Sequence, residues 1–335
     1  MLSEAQQMLA ESAAEVLAAS AGPERLRELR SAGVSVDAPL WAQLVELGWP
    51  AIPAPEEQGG LGWGLAEQAV VFEALGRFLA PTPLLSTVLF PGTALDGQVT
   101  ALAWQERSGD GGLEFSSCGA ACAGGTLTGD KVEVHDGAAA GRFVVLARSG
   151  SELGLFEVHA ADAQVQPGRR MDGRDVASVS FDSAPASPCA LSLDQLGSAL
   201  DRAAIALAAE ALGGAQAVFD ITIAFLKERV QFEQPIGAFQ ALQHRAVDCF
   251  VAIELARATV LAAAADPSPQ LASLAKARAG AAYRHVAKEA VQLHGGIGMT
   301  DECDVGFYLK RALGLSHTLG SARYHRDRWA RLRGY

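Results

Sequence analysis

The spacing of apolar positions changes twice along the chain, and the two changes divide it into three segments. Up to about residue 97 apolar residues recur every three or four positions, the period of a helix buried on one face. Trp41 to Leu47 gives a short stripe ending at Gly48, and Leu65, Ala69, Phe72, Leu75 and Leu79 give a longer one closed by Pro81 and Pro83. Ser3 is placed to cap a first helix, and Pro23 and Gly33 punctuate the stretch beyond it. The run PAPEEQGGLGWG reads as a structural loop, because proline fixes its own backbone and glycine admits positive φ.

From about residue 98 the period shortens to two. ALAWQE, TLTGDKVEVHD, RFVVLAR, LGLFEVHA and VASVSFD alternate or carry β-branched residues, and Gly, Asp, Ser and Pro separate them. They predict a small β domain, a barrel or sandwich. Trp104, His135 and His159 lie there as packing or satisfied polar groups. CGAACAGG reads as a loop, not a zinc site, since its Cys-x-x-x-Cys lacks a second pair of ligands. Beyond residue 190 the helical period returns over 197–230, 239–265, 270–294 and 304–331, with turns at Asp266 to Pro269 and at Gly295, Gly296 and Gly298. The reading is an α+β chain with a helical domain over 1–97, a β domain over 98–190 and a four-helix bundle over 191–335.

Composition narrows the class of partner. At 335 residues and 50% hydrophobic the chain can bury cores for two or three domains, and a net charge of −11 argues against a nucleic-acid backbone as ligand. The longest strongly apolar stretch, Ala203 to Ala209, is broken by Glu210 and is too short to span a bilayer, and no secretory signal opens the sequence. Five scattered cysteines suggest reduced thiols, so the expected location is the cytoplasm, without membrane or metal.

Candidate chemistry centres on FDITIAFLKERVQFEQPIGAFQ, residues 219–240. Leu212, Ala215, Phe219, Ile223 and Leu226 make one helix face apolar, and Pro235 and Gly237 end the helix. Arg229 and Phe232 are left at its terminus, where a guanidinium can fork onto phosphate and a ring can lie against a flat ligand.

Three stretches together resemble the acyl-CoA dehydrogenase family. They are RVQFEQPIGAFQALQHRAVD, the N-terminal LWAQLVELGWPAIPAPEEQGGLGWGLAEQAVVFEALGRFLAPTPLLST, and AVQLHGGIGMTDE near the C-terminus. The resemblance implies the three-domain fold, FAD as hydride acceptor and an acyl-CoA substrate. It further implies that Arg229, Phe232, Gln240, Gln292, Gly295 and Gly296 hold the ADP side of the flavin.

The same resemblance marks what is missing. The family's catalytic glutamate falls on Leu319, before Gly320 and Ser321, and its alternative position falls on Ala203; neither side chain takes a proton. His317 is the one nearby residue nominated as a substitute, and Glu302 is assigned a structural role. The family's flavin-covering loop corresponds to QERSGDGG, and its ring-contacting Trp and Thr correspond to Glu133 and His135. No residue of this chain is therefore assigned a catalytic role. The resemblance points to the non-catalytic subunit of the α₂β₂ subclass found in steroid degradation, partnered by a second family member that carries the glutamate. Two alternatives remain: a homo-oligomeric dehydrogenase with a relocated base, and a flavin-free scaffold that binds acyl-CoA or protein.

Overall fold

The computed structural model describes residues 2–107, 115 and 118–335. Helices α1 (Glu4–Ser20), α2 (Pro23–Ser31), α3 (Ala38–Glu46), α4 (Leu65–Arg77) and α5 (Leu85–Leu89) come first. Strands β1 (Val99–Ala103), β2 (Ala121–Ala123), β3 (Thr126–His135), β4 (Ala140–Ser149), β5 (Glu152–His159), β6 (Gln164–Arg169), β7 (Asp175–Pro185) and β8 (Ser187–Pro188) come next. The chain ends with α6 (Leu193–Glu228), the short strands β9 (Val230–Gln231) and β10 (Gln234–Pro235), α7 (Gln240–Ala265), α8 (Pro269–His294), α9 (Val305–Leu315) and α10 (Ala322–Leu332). Helical segments thus flank a sheet segment, the α+β order read from the spacing. Ser3 caps α1 as expected, its hydroxyl accepting from Gln6 N while the Gln6 side chain returns to Ser3 N.

Two compact units form. One gathers the residues up to Arg27 with Leu65–Ala80 and Ala204–Tyr335; the other gathers Glu28–Gly64 and Pro81–Ala203. In the first unit, α4 and α6 meet backbone to backbone. A Cβ added at Gly76 would overlap the Glu210 carbonyl, and one added at Gly213 would overlap that of Glu73, so only glycine permits this crossing. Arg257 of α7 fastens the same pair, donating to Glu73 on α4 at 2.8 Å and to Gln216 on α6 at 3.0 Å. Helix α6 is long and apolar enough to cross a membrane, yet 78% of its most apolar window is buried. Burial in a protein core accounts for that composition.

The expected fourth bundle helix, 304–331, is two helices. The chain breaks between Leu315 and Ala322, where Leu319 takes φ 54 and Gly320 φ 101. The break is held from below. Lys276 of α8 donates to the carbonyls of Leu315 at 2.8 Å and Gly320 at 3.4 Å, and the ring of His325 lies 2.7 Å from the Leu319 oxygen.

In the second unit the sheet runs β6-β7-β3-β2-β4-β5-β8, and β1 joins β4 in parallel. Phe143 to Ala147 of β4 are all buried, as befits a strand with neighbours on both sides. Both edge strands carry proline, Pro167 in β6 and Pro188 in β8, where a missing N–H costs the ladder least. The run CGAACAGG is not simply a loop. Ala120 and Cys122 are buried and Ala121 and Ala123 exposed, so Ala121–Ala123 forms β2 and turns into β3 through Gly124 and Gly125, at φ 59 and 81. A Gly-Gly pair after alternating residues is the signal that could have found it. The PAPEEQGGLGWG loop is folded on itself as expected: Leu61 N donates to Ala51 O at 2.9 Å and Trp63 N to Ile52 O at 3.0 Å.

Candidate functional site

Helix α6 ends one residue before Arg229, whose N–H still donates to Phe225 O at 2.9 Å. The chain then makes a two-residue hairpin, pairing Gln231 with Gln234 and Val230 with Pro235. Its turn residues are Phe232 and Glu233, at φ 53 and 67, positions that glycine or asparagine usually fill. Non-glycine residues in that region are strained by about 1–3 kcal/mol each, and such strain concentrates at functional sites. The hairpin is anchored by Ile236 N to Arg229 O at 2.8 Å and by the Gln243 amide to Gly237 O at 2.9 Å.

The face of this turn is open to solvent. Phe232 is 85% exposed and meets Phe239 edge-on at 6.1 Å. Arg229 is exposed, and among the described residues its guanidinium has no hydrogen-bond or ion-pair partner. Gln240 opens α7, also exposed.

The second motif arrives at the same end of the unit. The ring of His294, at the end of α8, stacks on Phe225 of α6 with centroids 4.2 Å apart. Phe225 lies one helical turn before Arg229, and His294 immediately precedes Gly295, so the stack ties the two motifs together. Gln292 is exposed and its carbonyl accepts from Gly295 N. Gly295 takes φ 67, and a Cβ on Gly295 or Gly296 would meet open space. An unpaired cation, an exposed ring and two bare glycines suit the pyrophosphate and adenine half of FAD.

The positions assigned to the flavin ring present different chemistry. Glu133 sits at φ 51, and His135 lies with Nε2 3.4 Å from Nη1 of Arg170. Burial pushes the His135 pKa down to about 3, and the charges of Arg170 and Arg174 add to it. The imidazole is therefore neutral, and Arg170 donates to Nε2. A carboxylate and an Arg-packed imidazole do not reproduce a Trp and Thr contact with a ring. The stretch QERSGDGG lies outside the described residues from Ser108 onward.

Both positions at which the sequence resemblance sought a base are apolar and buried: Leu319 is 2% exposed and Ala203 is fully buried. His317 is exposed, on the break between α9 and α10. Sequence reasoning missed the buried lysine and histidine around that break, since Lys276 and His325 lie 43 and 6 positions from Leu319 and carry no local signal. Among the described residues no cluster of His, Cys, Asp or Glu is arranged to hold a metal.

His325 carries a measurable consequence. Burial first, then Lys276, pushes its pKa from 6.5 down to about 3, so the folded chain holds it neutral. The unfolded chain protonates it near 6.5, so its stabilising effect is complete above that pH and is lost as pH falls toward about 3. His325 and His135 should each contribute up to about 1.4 kcal/mol per pH unit to the decline. Thermal midpoints measured from about pH 7.5 to about pH 5 should fall less steeply for His325→Asn than for wild type. Identical slopes would show that His325 does not titrate on unfolding.

Residues 3–95 match the family model described as the acyl-CoA dehydrogenase N-terminal domain, and residues 193–332 match the acyl-CoA dehydrogenase C-terminal domain. The chain is 38% identical to acyl-CoA dehydrogenase IpdE2 of Mycolicibacterium smegmatis, with 96% of each chain covered. Among solved structures it superposes on the ChsE4-ChsE5 complex from Mycobacterium tuberculosis with TM-score 0.89 and 28% identity, covering 100% of this chain and 99% of that one. It also matches a Tcur3481-Tcur3483 steroid ACAD with TM-score 0.86 and 30% identity, covering 98% of each. Near-complete coverage and family matches at both ends agree: the chain belongs to the acyl-CoA dehydrogenase family of FAD-dependent oxidoreductases.

Proposed function

We propose that this chain is the non-catalytic subunit of a hetero-oligomeric acyl-CoA dehydrogenase, with domains 1–97, 98–190 and 191–335, working in the cytoplasm on a steroid-derived acyl-CoA thioester. It holds the ADP side of FAD and half of the scaffold. A second family member supplies the glutamate that removes the α-proton and the pocket for the flavin ring. Bound FAD supplies the hydride acceptor that no side chain can provide.

The observation that carries this reading is a cofactor grip that the chain leaves open. Arg229, Phe232, Gln240, Gln292, Gly295 and Gly296 stand exposed at one end of the helical unit, while Leu319 and Ala203 fill the base positions with hydrocarbon. Helix α7, which begins at that grip, supports the need for a neighbour. It buries Cys249, Ile253, Ala256 and Val260 on one side and exposes Val247, Phe250, Val251 and Leu255 on the other. An exposed apolar stripe of that kind is a protein-contact surface. The names of the similar structures, one a complex and one a steroid enzyme built from two components, favour a second family member as that neighbour.

The test is to purify the chain alone and together with a glutamate-bearing family member, measuring flavin content and turnover of acyl-CoA thioesters with an artificial electron acceptor. The chain alone should be inactive. The complex should be active and hold one flavin per pair of chains. Turnover by the unpartnered chain, or a homotetramer with one flavin per subunit, would overturn the proposal and make His317→Ala the next variant to measure.

A further inference from the structure

In the second unit, three side chains of different chemistry each touch the other two. Lys131 of β3 is fully buried, and its Nζ lies 2.8 Å from Oε1 of Glu106 and 3.4 Å from Sγ of Cys118. The Cys118 sulfur lies 3.3 Å from the same Glu106 oxygen and 3.2 Å from the Leu146 carbonyl. Glu106 also accepts from Gly119 N at 2.6 Å and Ala120 N at 2.9 Å, so it clamps the two ends of the connection from β1 to β2. A lysine amine in van der Waals contact with a thiol, and hydrogen-bonded to a carboxylate, is not needed to hold a strand pair together. A salt bridge alone would serve.

We propose that Cys118 and Lys131 are an oxidative cross-linking pair, joined by a covalent bond between Sγ and Nζ when the protein meets a peroxide. Two steps balance the reaction. The thiol attacks peroxide; an S–O bond forms, the O–O bond breaks, one water leaves, and sulfur is oxidised by two electrons to a sulfenic acid. Nζ then attacks that sulfur; the S–N bond forms, the S–O bond breaks, and the oxygen leaves as a second water. Before that attack the ammonium gives one proton to the Glu106 carboxylate and on to solvent, which frees the nitrogen lone pair, and a second N–H proton leaves with the oxygen in the water. One peroxide is consumed, and the protein loses two hydrogens.

The side chain of Glu106 is 24% exposed and Cys118 retains 8%, while the side chain of Lys131 is wholly covered, so the sulfur is the less enclosed member of the reacting pair. Although burial raises the Glu106 pKa, the bond to Lys131 and those to the two backbone N–H groups outweigh it and hold the carboxyl down to about 2. Burial raises the Cys118 thiol, with Lys131 pulling the other way, so the first step is slow and depends on peroxide concentration. The product would tie β3 to the base of the β1–β2 connection, and a thiol reductant would release it.

The test is peptide mass spectrometry of the full chain after hydrogen peroxide, with oxidation of exposed Met299 and Met171 as the internal measure of dose. The expected product is the Cys118 peptide linked to the Lys131 peptide at their summed mass less two hydrogens, lost on treatment with dithiothreitol. Cys118→Ser, which exchanges only sulfur for oxygen, should abolish the linked species while leaving the circular dichroism unchanged. Lys131→Gln strips Glu106 of its cation and endangers the fold; where it folds, dimedone should trap Cys118 as the uncaptured sulfenic acid. Cys118 left unmodified after both methionines are oxidised, oxidised to sulfinic acid without linkage, or found in a disulfide with Cys122, would overturn the proposal.

Discussion

Replacing Arg311 with methionine is expected to destabilise the helical unit by about 3–5 kcal/mol, the range for stranding one partner of a buried ion pair. Arg311 of α9 is fully buried and reaches Glu210 of α6 at 2.9 Å and the Leu79 carbonyl at 3.1 Å. Glu210 is itself only 3% exposed, so loss of the guanidinium leaves a carboxylate with no water to replace it. A loss of this size is a large share of the ordinary stability of a domain. The double variant Glu210→Gln with Arg311→Met should recover part of it, because a neutral amide costs less to bury than an unpaired charge. Urea denaturation of the three proteins is the measurement. An Arg311→Met midpoint within the error of wild type would show that the pair carries no net stability.

The same pair shows where local pattern stops informing. Glu210 is visible in the sequence as the residue that breaks the apolar run Ala203 to Ala209, but its partner lies 101 positions further on. Gly213 and Gly76 likewise look like helix-weakening residues until the backbones of α6 and α4 are seen in contact. Periodicity was sufficient for α4, for the three long helices α6 to α8, and for the strands whose faces differ in burial. It failed at β2, where low complexity masked an alternation only four residues long. It failed again between α9 and α10, because the left-handed turn at Leu319 is enforced by Lys276 and His325 rather than by anything in its own neighbourhood.

The candidate cofactor motif was easy to single out for the opposite reason. Arg229, Phe232 and Gln240 are contiguous, and their spacing survives in one turn; the structure adds that this turn is a hairpin with strained, non-glycine corners. Phe232 is held in its exposed position by backbone geometry, not by packing. Such strain is more readily explained by presentation of a ring to a ligand than by chain reversal, for which Asn-Gly would serve without the steric cost.

That hairpin carries the largest expected effect on the proposed function. In the complex with a glutamate-bearing partner, Arg229→Ala should weaken flavin retention about tenfold to a hundredfold, the consequence of losing a charge-assisted phosphate contact worth about 1.5–3 kcal/mol. Arg229 is exposed and has no protein partner among the described residues, so truncating it breaks no contact within this chain and its effect on folding should be small. Phe232→Ala should also weaken retention while leaving its salt dependence intact, because an aromatic contact is not screened, whereas Arg229→Ala should flatten that dependence. The measurement is flavin affinity of the co-purified complex at low and high salt, with acyl-CoA turnover followed in parallel. If Arg229→Ala keeps full flavin and full rate, the exposed turn is not the ADP grip. If both variants lose flavin with unchanged salt slopes, the guanidinium does not contact a phosphate. A loss confined to Arg229→Ala would leave the phosphate contact standing and remove Phe232 from the adenine side.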